Sequence, residues 1–109
     1  MINQVTLVGR VVEDPVLKTL EDGRTVTKVR IAIQRSFKNS ETLEYESDFI
    51  TCTIWAGLAE ATTQYCKKGA IIGVRGKLQN NVFIYQDERK FHYNDVVVDK
   101  ISFISGSSK

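Results

Sequence analysis

The sequence predicts an all-β domain: five strands closed into a small barrel, one helix between the third and the fourth, and an extra projecting hairpin. Three observations predict it. Runs rich in β-branched and aromatic residues, bounded by turn residues, recur along the chain. Only Gly57–Lys68 shows helical spacing. The length of 109 residues, with 42% hydrophobic and 26% charged, suits one globular domain.

Gln4–Val12 reads as the first strand, with Val5, Leu7 and Val11 on one face and Val8 and Val12 on the other. Gly9 interrupts it, where a bulge or bend lets a strand curve around a small barrel. Glu13-Asp14-Pro15 ends it, because proline cannot donate to the ladder. Val16–Leu20 reads as a short strand or extended segment, and Glu21-Asp22-Gly23-Arg24 as a hairpin turn. Thr25–Arg35 is the second main strand: Val29, Ile31 and Ile33 form an apolar face, and Lys28, Arg30, Ala32 and Gln34 a basic, solvated one. Ser36–Glu46 reads as a long hairpin loop. Within it Phe37 lies between Arg35 and Lys38, either as a clamp onto the core or as a stacking ring flanked by phosphate-binding cations.

Ser47–Trp55 is the third strand. Ile50, Cys52 and Ile54 form a core face, while Phe49, Thr51, Thr53 and Trp55 share the other. Two large aromatics separated by small hydroxyls make a platform on which flat rings can stack. The same pattern fits a strand buried on both faces, with Phe49 and Trp55 in a second layer or a subunit contact.

Gly57–Lys68 is the helix, with Leu58, Ala61 or Thr62, and Tyr65 at helical spacing. Lys67 and Lys68 are expected in its last turn, complementing the dipole, and Gly69 at its C-cap. Ala70–Gln79 is expected to send Ile72, Val74 and Leu78 inward and Ile71, Gly73, Arg75 and Lys77 outward, with Gly73 and Gly76 allowing coiling or close approach. Val82–Tyr85 and Lys90–Tyr93 flank the polar turn Gln86-Asp87-Glu88-Arg89 as the projecting hairpin, with Phe83 and Tyr85 on one face. Hairpins are marginal alone in water, so an aromatic one points to a partner surface. Asp95–Phe103 is the last strand. This element order is that of the Greek-key OB-fold, which binds oligonucleotides or oligosaccharides across its second and third strands. We expect one such domain over residues 1–104 and a short flexible end over 105–109.

Net charge is only +2, but its layout is dipolar. Lys28, Arg30, Arg35 and Lys38 are followed by Glu41, Glu44, Glu46 and Asp48, which permits a local basic groove on a nearly neutral chain. Cys52 and Cys66 form no Cys-x-x-Cys pair and His92 is the one histidine, so they read as buried thiols of a reducing compartment rather than a disulfide or zinc site. No apolar run spans a membrane, and no signal peptide is visible. There is no Ser/His/Asp set, no Gly-rich phosphate loop and no motif-placed carboxylate pair, so neither an enzyme nor a cofactor is expected.

Asn3-Gln-Val-Thr-Leu-Val-Gly-Arg10, Asp14-Pro15, Asp48–Trp55, Leu58-Ala-Glu60, Tyr65-Cys-Lys-Lys-Gly69, Gly76-Lys-Leu78 and Asp95-Val-Val-Val-Asp99 occur together and in this order. On these the chain resembles the bacterial single-stranded DNA-binding proteins from Met1 to about Phe103. The resemblance implies an OB-fold that wraps single-stranded DNA as a homotetramer, in the cytoplasm on the nucleoid, during replication, recombination, repair or DNA uptake. It matches the family's stacking positions to Phe37, Phe49, Trp55 and Phe83, and its basic positions to Lys38, Lys67 and Lys68. Arg30, Arg35, Arg75 and Lys77 are added as phosphate contacts from face and charge alone. Other members carry cations where this chain has Gly57, Gln79 and Asn81. They also continue into an acidic tail that recruits other enzymes, whereas this sequence stops at Lys109, like the shorter paralogues linked to DNA uptake or a mobile-element version. A different class of function stays open: an OB barrel that docks a protein of a primosome or recombination complex. Single-stranded RNA is a further alternative ligand.

Overall fold

The computed structural model describes residues 1–105. The chain forms β1 (Val5–Val11), β2 (Lys18–Thr19), β3 (Thr25–Lys38), β4 (Tyr45–Trp55), α1 (Ala56–Tyr65), β5 (Ile71–Ile84) and β6 (Lys90–Ser105). The strand order is β1-β5-β6-β4-β3-β2, and β1 also pairs with β3. The sheet therefore closes through β1, and β2 lies outside the ring as a short strip on β3. Neighbours are antiparallel except β4 and β6, which meet in a short parallel seam at Cys52–Val96 and Thr53–Val97. A ring of five strands with one thin seam, and a helix between β4 and β5, is the OB-fold arrangement expected.

Closure asks β1 to serve two neighbours. Val5–Arg10 run along β5, while Arg10 and Val11 also pair with Ala32 and Ile31 of β3. Gly9 stands at the crossing. A Cβ there would lie 2.9 Å from the Ala32 carbonyl oxygen and 3.1 Å from the Ile33 side chain, so only glycine lets the strands come so near. The core fills from the inward faces. Val11, Val29, Ile31, Cys52, Ile54, Ile72, Val74 and Val96 are all but inaccessible, and α1 caps them with Ala59 and Thr62.

Element ends differ from expectation in four places, each for a visible reason. First, β3 runs on to Lys38 and β4 begins at Tyr45, so Phe37 and Lys38 are strand residues and the loop is short. Lys38 pairs with Tyr45 after a register shift, and Arg35 is tied across to Asp48 and Glu46. Second, β5 and β6 run straight through the expected hairpin, because Asn80 and Asn81 pair directly with Asn94 and Tyr93. Third, the helix ends at Tyr65 rather than Lys68. Lys67-Lys68-Gly69-Ala70 is a separate turn closed by the Ala70 amide on the Lys67 carbonyl, and Gly69 uses its positive φ of 93° there, not as a helix C-cap. Fourth, Leu78 shares the inward face of its partner Val96 but is 48% exposed rather than buried. A bulge at Arg75/Gly76 carries β5 past the barrel rim, and Leu78 lies beyond the core. Of the flexible end expected over 105–109, Ser105 closes β6 and the rest lies outside the described residues.

Two long hairpins, β3–β4 and β5–β6, thus project from the barrel. The radius of gyration is 15.3 Å, against about 13 Å for a compact domain of this length. Among the described residues no helix is long and apolar enough to cross a membrane.

Candidate nucleic-acid interface

The register of β3 on β4 builds the candidate site. Val26 lies opposite Trp55, Lys28 opposite Thr53, Arg30 opposite Thr51 and Ala32 opposite Phe49. Directly paired residues share a face, so these form one outer surface while Val29, Cys52 and Ile31 line the core. Phe49 is 53% exposed and Trp55 36%, so neither ring belongs to a second buried layer within the chain.

Cations lie over these rings. The Arg30 guanidinium is 4.7 Å from the centre of Phe49, and Arg24 is 5.0 Å from Trp55. Arg24 is held there by its turn: Asp22 accepts from its backbone amide and from Nε at 2.7 Å. The Arg24 amide and side chain hold the Asp22 carboxyl below its ordinary range. Lys38 lies over Tyr45, Arg89 over Tyr85 and Lys28 over Tyr93. A ring face that receives a guanidinium is also one on which a flat ring can stack.

The β5–β6 hairpin continues this surface. Asn81 pairs with Tyr93 and Phe83 with Phe91, so these share a face with Tyr85. Phe83 meets Tyr85 edge-on at 5.0 Å, and Phe91 stacks along Tyr93 at 6.3 Å. Two links join the hairpin to the barrel. Lys28 of β3 reaches Tyr93, and Asp95 of β6 accepts hydrogen bonds from the Thr53 hydroxyl of β4 and the Asn81 amide of β5. Rings and cations therefore occur on the β3–β4 hairpin, at Phe49 and Trp55, and along β5–β6, with Lys28 and Asp95 as the links between barrel and hairpin. A groove of about 660 Å³ lies against Trp55, lined by Asp14, Val16, Leu20 and Val26 among others.

The expected site residues do not all stand alike. Phe49, Trp55 and Arg30 sit together at the centre. Phe37, 70% exposed, and Lys38 lie towards the end of the β3–β4 hairpin, and Phe83 on the other hairpin. Lys77 opens the outward row of β5 that continues through Gln79 and Asn81 to Phe83. Lys67 and Lys68 occupy the turn after α1, where the Lys68 amide donates to Asp14 at the edge of the Trp55 groove. Two of the expected arginines are engaged by carboxylates, as Arg24 and Arg89 are in their turns. Arg75 pairs with Asp99 at 3.2 Å, and Arg35 grips both oxygens of Asp48 and reaches Glu46. The Asp48 hydrogen bonds raise Arg35 above its ordinary value, and Arg35 in turn holds Asp48 below the usual carboxylate range.

Sequence reading placed Lys28 on this face without naming it a contact, and missed Arg24, Tyr45, Arg89, Phe91 and Tyr93 as members of this surface. The one local signal was the repeated turn, Glu21-Asp22-Gly23-Arg24 and Gln86-Asp87-Glu88-Arg89, in which an Asp two residues before an Arg anchors it. The thiols take no part. Burial, reinforced by Asp95, pushes Cys52 up to about 12, and burial also raises Cys66; both are free.

Comparison with known proteins gives this surface its context. The model of the Single-strand binding protein family matches residues 2–104. Single-stranded DNA-binding protein B of Bacillus subtilis (strain 168) is 38% identical over 104 residues, covering 95% of this chain and 91% of the relative. A single-stranded DNA-binding protein of Oceanobacillus iheyensis is 39% identical over 104 residues, covering 95% of this chain but 64% of that longer protein. Single-stranded DNA-binding protein 1 of Lactococcus lactis subsp. lactis is 37% identical over 107 residues, covering 98% of this chain and 71% of the relative. With nearly its whole length matched and the barrel and aromatic surface in place, the chain belongs to the single-strand binding protein family.

Proposed function

We propose that this chain binds single-stranded DNA without regard to base sequence, and that residues 1–104 are the binding unit. The observation that carries the reading is the outer surface on which exposed rings lie beside cations, as Arg30 lies over Phe49 and Arg24 over Trp55. Bases stack on Phe37, Phe49, Trp55 and Phe83, with Tyr45, Tyr85, Phe91 and Tyr93 extending the path. Stacking of this kind contributes about 1–3 kcal/mol per base and tolerates any base. Phosphates meet Arg30, Lys38, Lys67, Lys68 and Lys77, joined by Lys28. Arg24, Arg35, Arg75 and Arg89 contribute less while their carboxylates hold them. The role is binding rather than catalysis, in keeping with the family.

A homotetramer in the cytoplasm, on the nucleoid, goes with this proposal. Val8 and Ile104, exposed on the outer side of β1 and β6, supply apolar surface for subunit contacts. Mass measurement of the free protein and of its DNA complex tests the assembly. The adaptor reading is not favoured, because the family and the relatives' names point to single-stranded DNA.

The test is fluorescence anisotropy of labelled oligo(dT) at low and raised salt. Several phosphate contacts predict that log K falls steeply and linearly with log salt, at about 0.7 per contact. Binding indifferent to salt would return the chain to the adaptor class.

A further inference from the structure

The β5–β6 hairpin has few ties to the barrel. β1 accompanies β5 only as far as Gly76, and β4 meets β6 only at Cys52–Val96 and Thr53–Val97. Beyond these pairs the two strands have only each other as ladder neighbours. A two-stranded ribbon is marginal alone in water, so side chains at its root are needed to set its angle. Asp95 stands at that root, one residue outside the parallel seam. It is 2% exposed, and its two oxygens serve different strands: Oδ2 accepts from the Thr53 hydroxyl of β4, and Oδ1 from the Asn81 amide of β5. Lys28 extends the row to β3, since it lies opposite Thr53 in the register and reaches Tyr93. Trp55 lines the recess beside this row, and Phe83 lies two residues beyond Asn81 on the same face. Asn3 also holds the Leu78 backbone, but from the N-terminal segment rather than from β3 or β4. Burying a carboxylate is costly, and an apolar side chain often holds such a site as well or better. A fully satisfied polar network instead selects one geometry, and among the described residues no buried side-chain polar atom lacks a partner.

Building on the reading of the outer surface as a single-stranded DNA path, we propose that Asp95 is a positioning residue: it sets the angle between the β5–β6 hairpin and the β3–β4 platform, so that one strand stacks on Trp55 and Phe83 together. Asp95 needs no contact with the strand, since it is buried and both its oxygens are engaged. It acts through the place it gives Phe83. A base held at Trp55 keeps its neighbours near the hairpin, and they gain from Phe83 only when that ring stands within their reach. A hairpin free to swing lowers the effective concentration of the ring and with it the gain. The same role accounts for Asn81, whose amide is committed to Asp95 where the stacking surface alone would gain more from a cation.

The experiment is a cycle of variants read by anisotropy of labelled oligo(dT) of about 16 nucleotides, the upper end of OB-fold site sizes. In the unaltered protein Phe83→Ala should weaken binding about tenfold, within the range for one stacked base. In Asp95→Ala, which releases both Thr53 and Asn81, the same change at Phe83 should cost about twofold or less, while Trp55→Ala costs as much as before. Asp95→Asn should restore the Phe83 cost, because one amide accepts from Asn81 and donates to the Thr53 oxygen. A merely structural role would lower stability and leave both costs alone. Should Asp95→Ala fail to fold, Thr53→Val cuts the link to β4 and takes its place in the cycle. A Phe83 cost that survives loss of the link overturns the positioning role and leaves the DNA path standing. So does a Phe83 cost absent from the unaltered protein while Trp55→Ala still weakens binding. If Asp95→Ala and Asp95→Asn only tighten binding alike, Asp95 acts through its charge and the proposal falls. If no strand binds at all, the DNA reading itself falls and the positioning role falls with it.

Discussion

An arginine serves a phosphate only when no carboxylate already holds it. Arg30 lies over Phe49 and makes no ion pair among the described residues, whereas Arg35 on the same strand is clamped by Asp48 and Glu46. Asp48→Asn should release Arg35, tighten oligo(dT) binding at low salt and steepen the plot of log K against log salt by about 0.7, the worth of one added contact. The same substitution should barely change thermal stability at neutral pH, because an exposed pair contributes little. Asp48 titrates below its ordinary 3.8 in the folded chain. The pair's contribution is thus complete above that value and is lost only as pH falls through the lower folded one, so Arg35 stays engaged across the neutral range. Trp55→Ala should weaken oligo(dT) and mixed-sequence strands alike by roughly 1–3 kcal/mol, read by anisotropy. A loss confined to one sequence would contradict stacking there.

At the scale of elements, glycines on one strand test the barrel. A Cβ on Gly76 would lie 2.0 Å from the Val97 carbonyl oxygen, at the bulge where β5 leaves the barrel. On Gly73 it would meet the Ile104 side chain at 3.5 Å, an ordinary contact. Gly76→Ala should cost about 3 kcal/mol or more, since backbone cannot yield as side chains do. Gly73→Ala should stay within about 1 kcal/mol, and denaturant unfolding compares the two. The barrel strands were legible in the sequence because alternation marks a half-buried strand, and Lys28, Arg30, Phe49 and Trp55 fell on the expected face. Element ends were not, because partners far along the chain set them: Tyr45 extends β3 to Lys38, and Tyr93 carries β5 past Asn81. The helix end was misjudged for a related reason. The Lys67–Ala70 turn is bound to β1, with the Gly69 amide on the Val11 carbonyl and the Arg10 side chain on the Gly69 carbonyl, contacts that no helical pattern foretells. Tyr93 and Lys28 were missed as neighbours because only closure of the barrel brings them together.

The molecule as a whole is a small closed barrel that holds two hairpins and leaves their aromatic rings to solvent. A domain that gained only from its own packing would not hold Phe37, Phe49, Phe83 and Phe91 half exposed or more. The barrel supplies the rigidity and the hairpins supply reach, with Lys28 and Asp95 binding the two into one surface. A duplex, whose bases are already stacked on one another, is expected to bind this surface poorly. Trp55 is the chain's one tryptophan and lies on the proposed path, so its fluorescence reports the central claim directly. The decisive measurement is that fluorescence during titration with single-stranded and with double-stranded DNA of the same sequence at low salt. The account predicts quenching to saturation by the single strand, reversed by added salt, and little change with the duplex. An unchanged signal with the single strand, from folded protein, or equal quenching by both forms, would contradict it.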